Sequence, residues 1–231
     1  MADNPLAVPA AETNQWTWAP LEQTLGYCLT EVQKNRLTYY VKELRLWNAM
    51  AGLVGPAALP ELDTVHLPDA ALLIPHVGSG LGMADLGSGG GIPGLVIGLI
   101  LYPGIEIDLI ESSGKKTKFL KWVVQNLKLE DRIKIINKRA EELRHGKRYR
   151  CIISRAVGSL AYGADHAWPL LRPGGEYLIL KGPRLKEELR EWTEEKGAQR
   201  YAPPEILSAS ASDRESVVVR LCRPEKEEWS P

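Results

Sequence analysis

The residues whose chemistry is easiest to interpret form a glycine-rich turn. Gly87, Gly89 and Gly91 lie between a short apolar segment at 83–86 and an apolar run at 93–101. Glycine lets the backbone turn sharply and approach a ligand without a Cβ in the way. The helix predicted after the turn offers free backbone N–H groups at its start. The pattern therefore predicts a strand, a ligand-binding turn and a helix.

An acidic residue completes this motif. Glu111 follows Gly91 by about twenty residues and ends the next predicted strand, which is the usual spacing for an acid that binds a ribose. A carboxylate at that place accepts hydrogen bonds from the ribose hydroxyls. We therefore predict that an adenosine-containing ligand binds at the carboxyl ends of the strands.

Two such ligands are compatible with the turn. Residues 89–94 also satisfy the GxGxxG fingerprint of NAD-binding proteins, which is weak by itself. Three features favour S-adenosylmethionine. Asp85 ends the strand two residues before Gly87, where it can orient the turn or meet the ligand's ammonium group through water. The turn at 171–175 resembles one common in class I methyltransferases, and the chain is short for a dehydrogenase.

Alternating strand and helix patterns run from residue 83 to the end of the chain. They predict an α/β fold of the class I S-adenosylmethionine-dependent methyltransferase type, a Rossmann-like seven-stranded sheet with an N-terminal helical extension. The predicted strands are Met83–Leu86, Ile105–Ile110, Ile133–Ile136, Tyr149–Ser154, Tyr177–Leu180, Glu205–Ser208 and Val217–Cys222. The predicted helices are Pro93–Leu101, Lys115–Leu127, Leu160–Leu171 and 184–196.

The N-terminal third has a different organisation. Residues 1–19 are rich in Ala, Pro, Asn and Thr and predict a loose arm. Residues 20–82 predict a helical extension and connector, in which Thr30 caps the second helix and a short helix lies near Pro68–Leu73. Residues 83–231 then form the catalytic domain. Trp16, Trp18 and Trp47 are expected to pack against it.

Composition and charge narrow the class of protein. The chain has 231 residues and a formal net charge of +0. The three cysteines have no metal-ligand spacing, so we predict free thiols and no metal. No segment has the length of a membrane span or the pattern of a signal peptide. We expect a cytoplasmic protein, independent of membranes and monomeric.

One segment is strongly basic although the whole chain is neutral. Acidic residues are few between positions 115 and 150, so this segment is either a phosphate-binding surface or a solvated one. Its basic residues are Lys115, Lys116, Lys118, Lys121, Lys128, Arg132, Lys134, Lys138, Arg139, Arg144, Lys147, Arg148 and Arg150.

A longer set of motifs resembles a known family. From about residue 31 to 222 the chain resembles the ribosomal small-subunit methyltransferase G family, also called glucose-inhibited division protein B. The matching motifs occur in the family's order. They are Leu46-Trp47-Asn48, His66-Leu67-Pro68-Asp69, Asp85 to Gly94, Ser113-Gly114-Lys115-Lys116, Phe119-Leu120, Arg139-Ala140-Glu141-Glu142, Ser154-Arg155-Ala156, Lys181-Gly182, and Arg214 before Val217-Val218-Val219.

The resemblance implies a function and a set of binding residues. It implies methylation of guanine N7 in 16S ribosomal RNA, with S-adenosylmethionine as cofactor and the RNA or the small ribosomal subunit as partner. Arg155 is implied as a catalytic residue that lies over the methyl donor or the incoming base. The implied cofactor-binding residues are Gly87, Ser88, Gly89, Ile92, Glu111, Ser112, Ala140, Glu141 and Arg155.

Three places depart from the family pattern. Val65 replaces a usual Arg, Gly52-Leu53-Val54 replaces Asn-Leu-Thr, and Ala70 replaces a usual Ser. All three lie outside the glycine turn in the sequence. They bear on RNA binding rather than on the cofactor.

The absence of other motifs is informative about chemistry. The fourth strand is followed neither by the Asn/Asp-Pro-Pro-Tyr/Phe motif of amine methyltransferases nor by a Pro-Cys nucleophile. Cys151 is expected to be a buried thiol. Guanine N7 needs no such motif, because it has a lone pair and no proton. We expect loss of Arg155 to matter more than loss of His66, which the sequence pairs with Asp69.

Other functions remain compatible with the sequence. The enzyme could methylate another RNA or a small molecule. The chain could also be an NAD-binding oxidoreductase or a non-catalytic RNA-binding protein.

Overall fold

One seven-stranded sheet organises the chain. The structure is a computed structural model that describes residues 16–78, 80–143, 148–155, 157–194, 201–209 and 216–225. The strands lie in the order β3-β2-β1-β4-β5-β7-β6. Their bounds are β1 Gly80–Leu86, β2 Ile105–Ile110, β3 Ile133–Ile136, β4 Tyr149–Arg155, β5 Leu171–Lys181, β6 Glu205–Ala209 and β7 Val217–Cys222.

The direction of the strands sets the place of the site. Strands β1 to β5 are parallel, whereas β7 runs antiparallel to both β5 and β6. Strand β1 lies between β2 and β4, so the chain winds outward from β1 in two directions. In open α/β sheets, ligands bind at the carboxyl ends of the strands where the winding reverses. That edge here holds the ends of β1, β2 and β4.

The described ranges contain seven α-helices. The apolar helix α4 is buried along nearly its whole length, and a Cβ on Gly98 would lie 2.8 Å from Cδ1 of Ile133. Helix α5 is amphipathic. The bounds are α1 Ala19–Leu25, α2 Glu31–Ala51, α3 Leu67–Ala71, α4 Gly94–Leu101, α5 Gly114–Asn126, α6 Leu160–Ala167 and α7 Leu185–Glu194.

The N-terminal extension shares the hydrophobic core of the sheet. Helix α2 begins with a capping box, in which Thr30 and Gln33 satisfy each other's backbone N–H groups. Its buried face packs in one core with α4 and α5, and the rings of Trp47 and Phe119 lie 6.0 Å apart. Trp16 and Trp18 also pack against this core. The expected packing of the tryptophans is confirmed.

The extension also touches the glycine turn. The hydroxyl of Tyr40, on α2, donates a hydrogen bond of 2.8 Å to the Gly90 carbonyl. The Leu53 carbonyl and Cβ would lie 3.2 Å from a Cβ at Gly90. The departure from the family pattern at 52–54 is therefore distant from the turn in sequence but adjacent to it in space.

The predicted fold class is confirmed, and the two largest differences in element bounds are at the end of the helix after β4 and at the start of β5. The helix predicted to reach Leu171 ends at Ala167, because a single turn at Trp168–Leu170 with Pro169 inside it follows. Strand β5 begins at Leu171, six residues early, because 172–175 form a bulge between paired residues of β4 and β5. The sequence had indicated only a turn there.

Parts of the predicted organisation lie beyond the structure. Residues 1–15 of the predicted arm, together with Arg144, Lys147, Ala156 and Arg214, lie outside the described residues. The domain boundaries at 19 and 82 stay a prediction. Within the described ranges, no helix combines the length and the apolar character needed to cross a membrane.

The Tyr40 contact yields a stability prediction. Replacing Tyr40 by Phe leaves the Gly90 carbonyl without this donor in a buried place, which costs roughly 1–3 kcal/mol. We expect denaturant unfolding to show a loss of that size. Tyr27→Phe is the control, since that ring is exposed. Equal stability of the two variants would mean that the hydroxyl does not support the turn.

Candidate active site at the strand switch point

The glycine turn is held by hydrogen bonds to the end of β2. The N–H groups of Gly87 and Ser88 both donate to the Ile110 carbonyl, at 2.9 and 3.0 Å. Gly87, Gly89 and Gly91 have φ values of 72°, 56° and 96°. Residues with a side chain rarely adopt such angles. The glycines are therefore needed for the path of the backbone as well as for access.

Asp85 fixes the start of helix α4. Its Oδ2 accepts a hydrogen bond of 3.0 Å from the Gly94 N–H. A Cβ on Gly94 would overlap the Asp85 side chain, so no other residue fits there. Of the two roles that the sequence offered for Asp85, the geometry supports orientation of the turn.

The same burial changes the acidity of Asp85. The side chain is 0% exposed, and its Oδ1 has no hydrogen-bond partner among the described residues. Burial raises the pKa of Asp85 to about 7, against the opposing effect of the hydrogen bond from the Gly94 N–H. Asp85 is therefore partly protonated near neutral pH.

Glu111 joins the turn to helix α5. Its Oε2 accepts from the Gly89 N–H at 2.9 Å, and its Oε1 accepts from the Ser113 N–H at 2.7 Å. A carboxylate has about four acceptor positions. Two therefore remain for the hydroxyls of a ribose, while the other two order the backbone around it.

A small cavity opens beside Glu111. Its volume is about 180 Å³. Five of the predicted cofactor residues line it, namely Gly87, Glu111, Ser112, Ala140 and Glu141. Its lining also includes Lys138 and Arg139 of the basic segment, and three residues that sequence reasoning missed, namely Val157, Tyr162 and His166.

The remaining predicted residues of the turn do not line this cavity. Ser88 is buried, and its hydroxyl donates to the Asp85 carbonyl at 3.1 Å. Gly89 presents its N–H to Glu111, and Ile92 packs against the core. These three residues shape the turn from behind.

Helix α6 forms one wall of the small cavity. The rings of Tyr162 and His166, one helical turn apart, have centroids 4.2 Å from each other. His166 Nδ1 lies 2.8 Å from the Tyr162 carbonyl, and its Nε2 lies 2.9 Å from Glu141 Oε1. Backbone and His166 hydrogen bonds lower the pKa of Glu141. The i, i+4 spacing after β4 was the one sequence signal for this wall.

A larger cavity of about 640 Å³ lies next to the first. Arg155 lines this larger cavity and is not among the residues that line the smaller one. Val157 lines the small cavity and Gly158 lines the large one, so consecutive residues separate the two. Three cationic side chains face the larger cavity, namely Arg155, Lys181 and Arg184.

One of those cations is already paired. Lys181 is 6% exposed, and its Nζ donates to Glu188 Oε2 at 2.6 Å and to the Gly158 carbonyl at 2.8 Å. The Lys181 charge is therefore used to hold helix α7 and the loop after β4. Arg155 and Arg184 are the other two cations at this cavity.

His66 comes from the extension and reaches the same cavity. Its Nδ1 lies 2.7 Å from Arg155 Nη2, although the two residues are 89 positions apart. Asp69 and Val65 line the cavity with it. The sequence had paired His66 with Asp69 and ranked it below Arg155. The structure places it directly against Arg155.

The basic segment divides between the two edges of the sheet. Lys115 and Lys116 lie in the first turn of α5, at the carboxyl edge. Lys138 and Arg139, which follow β3, lie at the same edge. Arg132 pairs with Glu106 at the start of β2, on the opposite edge. Lys128 and Arg148 also lie at that opposite edge, before β3 and β4.

Two solved structures with a similar fold are methyltransferases. An O-methyltransferase from Bacillus cereus in complex with SAH has a TM-score of 0.56 at 15% identity, covering 91% of this chain and 100% of that one. A putative S-adenosylmethionine-dependent methyltransferase from Methanococcus maripaludis has a TM-score of 0.54 at 17% identity, covering 74% and 92%. The fold is therefore that of the class I methyltransferases.

The family can be assigned more narrowly. The family described as rRNA small subunit methyltransferase G matches residues 33–217, so the chain belongs to it. A ribosomal RNA small subunit methyltransferase G from Stenotrophomonas maltophilia is 35% identical, covering 83% of this chain and 86% of the relative. One from Nocardioides is 38% identical over 69% of this chain, and the match spans 63% of that relative's length. The expected resemblance is confirmed, and the assignment speaks against an NAD-dependent oxidoreductase.

The raised pKa of Asp85 predicts a pH effect on stability. Because the folded protein binds this proton more tightly than the unfolded chain, the stabilisation is complete below about pH 4 and is lost as pH rises through about 7. Asn resembles the protonated acid and can accept from Gly94. We expect the stability advantage of Asp85→Asn over the wild type to be smallest near pH 4 and to grow by on the order of 1 kcal/mol or more between pH 5 and pH 8. Thermal unfolding across this range is the measurement, and parallel pH profiles would contradict the assignment.

Proposed function

We propose that this protein transfers a methyl group from S-adenosylmethionine to N7 of a guanine in 16S ribosomal RNA. The observation that supports this most directly is the pair of adjacent cavities at the switch point. The smaller one has an acid suited to a ribose, and the larger one is lined by arginines. Membership of the rRNA small subunit methyltransferase G family supports the choice of substrate.

The smaller cavity fits the adenosine of the cofactor. Glu111 has acceptor positions for the ribose hydroxyls, and the Tyr162–His166 pair gives an aromatic wall for a purine. Asp85 is fully buried and accepts from the Gly94 N–H, so it orders the turn that holds the cofactor. When bound, S-adenosylmethionine supplies an electrophilic methyl group on a sulfonium.

The larger cavity fits the nucleotide that accepts the methyl group. Its volume of about 640 Å³ lies within the range of small-molecule sites. A base that is stacked and paired in an RNA helix cannot reach a buried methyl donor. Enzymes of this kind therefore act on an extruded or unpaired nucleotide. The loop at Val157–Gly158 would then lie between the two reactants.

Transfer to N7 requires alignment rather than proton removal. N7 is unprotonated near neutral pH and already nucleophilic, so the residues need to hold the base in line and exclude water. The lining of the larger cavity is consistent with a reaction that needs no general base. Lys181 and Glu188 pair with each other, and Arg155 bonds to His66. No residue is assigned as a general base.

Arg155 is assigned to phosphate rather than to the base. The methylated purine gains positive charge, which a guanidinium facing the ring would oppose. Burial lowers the pKa of Arg155, so its charged form gains from an entering anion. A phosphate bound at this cavity would supply that anion and would keep the guanidinium away from the purine ring. Arg155 thus contacts substrate and is the catalytic residue of this proposal.

The proposal extends to the state of the protein in the cell. We place it in the cytoplasm with its ribosomal RNA substrate and expect it to act as a monomer. Both cavities are formed by described residues of a single chain, so no second copy is required to complete the site.

Labelled methyl transfer tests the reaction. Purified protein is incubated with labelled S-adenosylmethionine and undermethylated small-subunit RNA, and the modified nucleoside is then identified. We expect one 7-methylguanosine per RNA, with a single-turnover rate that no essential base limits. Gly89→Val should abolish cofactor binding and transfer, while Gly55→Val, at an exposed position with an ordinary φ, should retain both. Label on an exocyclic amine, a ribose, another RNA or a small molecule would refute the proposal. Binding of RNA without transfer would do so as well.

The division of the basic segment predicts which charges bind RNA. Lys115→Glu with Lys116→Glu should weaken RNA binding and reduce the slope of log affinity against log salt by about 1–2. Cofactor affinity should be unchanged. Lys128→Glu with Arg148→Glu makes the same change of charge at the opposite edge and should have little effect. Equal effects of the two pairs would mean that overall charge, and not the carboxyl edge, governs binding.

A further inference from the structure

The contact between His66 and Arg155 joins two parts of the chain at the larger cavity. His66 ends a helical turn at Leu62–His66 in the extension, and Arg155 ends strand β4. His66 is 8% exposed. Its Nδ1 lies 2.7 Å from Arg155 Nη2, which is the distance of a strong hydrogen bond.

The partners fix the protonation of the imidazole. A guanidinium has donors only and stays charged, so Nη2–H donates in this bond. Nδ1 of His66 must therefore accept, which requires that it bear no proton. His66 is then neutral, with its ring proton on Nε2.

A second group of the extension stabilises the same cation. Asp69 is buried one helical turn after His66, and its Oδ2 accepts from the Ser216 hydroxyl at 2.7 Å. Burial lowers the pKa of Arg155, and the negative charge of Asp69 raises it. The extension thus supplies both a neutral acceptor and an anion to one arginine.

We propose that neutral His66 is a positioning residue that fixes the Arg155 guanidinium on the wall of the larger cavity, and that protonation of His66 releases it. The inference rests on the proposed function only in the assignment of Arg155 to a phosphate of the RNA. A proton on Nδ1 removes the acceptor and places two cations within hydrogen-bond distance. Arg155 then leaves the orientation in which it meets the phosphate of the nucleotide.

Other charged groups surround this pair. Asp69 attracts an imidazolium and opposes the release, whereas the cations of the cavity favour it. Lys181 and Glu188 largely cancel each other at 2.6 Å. The titratable groups around His66 and Arg155, on α2, α3, β4, β5 and α7 with its preceding loop, are Tyr40, Asp69, Arg155, Lys181, Arg184 and Glu188.

Three variants separate positioning from a structural role. Asn places an amide oxygen where Nδ1 lies and does not titrate, Ala removes the acceptor, and Lys adds a cation. The measurements are kcat and KM for RNA between pH 5.5 and 8.5, with calorimetric cofactor binding as the test of folding. We expect His66→Ala and His66→Lys to lose roughly 10-fold or more in kcat/KM for RNA, as for loss of a charged hydrogen bond. His66→Asn should stay within about 3-fold, and it should lack the decline at low pH that we expect of the wild type.

A measurement without RNA completes the test. Nitrogen-15 spectra of the four histidines, with His66 assigned by its absence in His66→Asn, report the tautomer directly. We expect Nε2–H with a bare Nδ1 at pH 8. A protonated Nδ1 there, equal activity of the Ala and Asn variants, or an acid limb that persists in His66→Asn would overturn the inference. If the wild type methylates no ribosomal RNA, the proposed function fails, while the spectra still decide the His66–Arg155 contact.

Discussion

The site depends on the close approach of the buried Asp85 carboxyl to the backbone of Gly94. This contact leaves no room for a Cβ and fixes the first turn of α4 relative to the end of β1. Glu111 fixes the other side of the turn through Gly89. Two carboxylates thus impose a backbone path that only glycines follow without strain. The arrangement requires a fully buried acid with a pKa of about 7 in the middle of the fold, which opposes stability above neutral pH.

The extension belongs to the site as much as the sheet does. Tyr40 supports the turn through a hydrogen bond to the Gly90 carbonyl. His66 and Asp69 act on Arg155 at the larger cavity. The shared hydrophobic core keeps these two contacts in place together. A chain without its first 79 residues would keep every strand segment but lose supporting contacts at both cavities.

The features that depend on short stretches of sequence were predicted correctly. The glycine turn, Glu111 and nearly all strands follow from short motifs and alternation, so their places could be read from the sequence. The His66–Arg155 contact could not, because 89 residues separate its partners and neither motif names the other. The motif Lys181-Gly182 was recognised in the sequence. The pairing of Lys181 with Glu188 was not, because it depends on how α7 packs. The bulge in β5 escaped prediction, because Gly174 and its neighbours indicate a turn whether or not pairing resumes.

The loop after β4 has a consequence for how the two ligands influence each other. Val157 belongs to the small cavity and Gly158 to the large one, and Lys181 holds the Gly158 carbonyl in place. A ligand that shifts this loop in one cavity therefore changes the shape of the other. Thermodynamic linkage makes such an effect reciprocal. If a bound nucleotide changes the affinity for the methyl donor by some factor, the bound methyl donor changes the affinity for the nucleotide by the same factor.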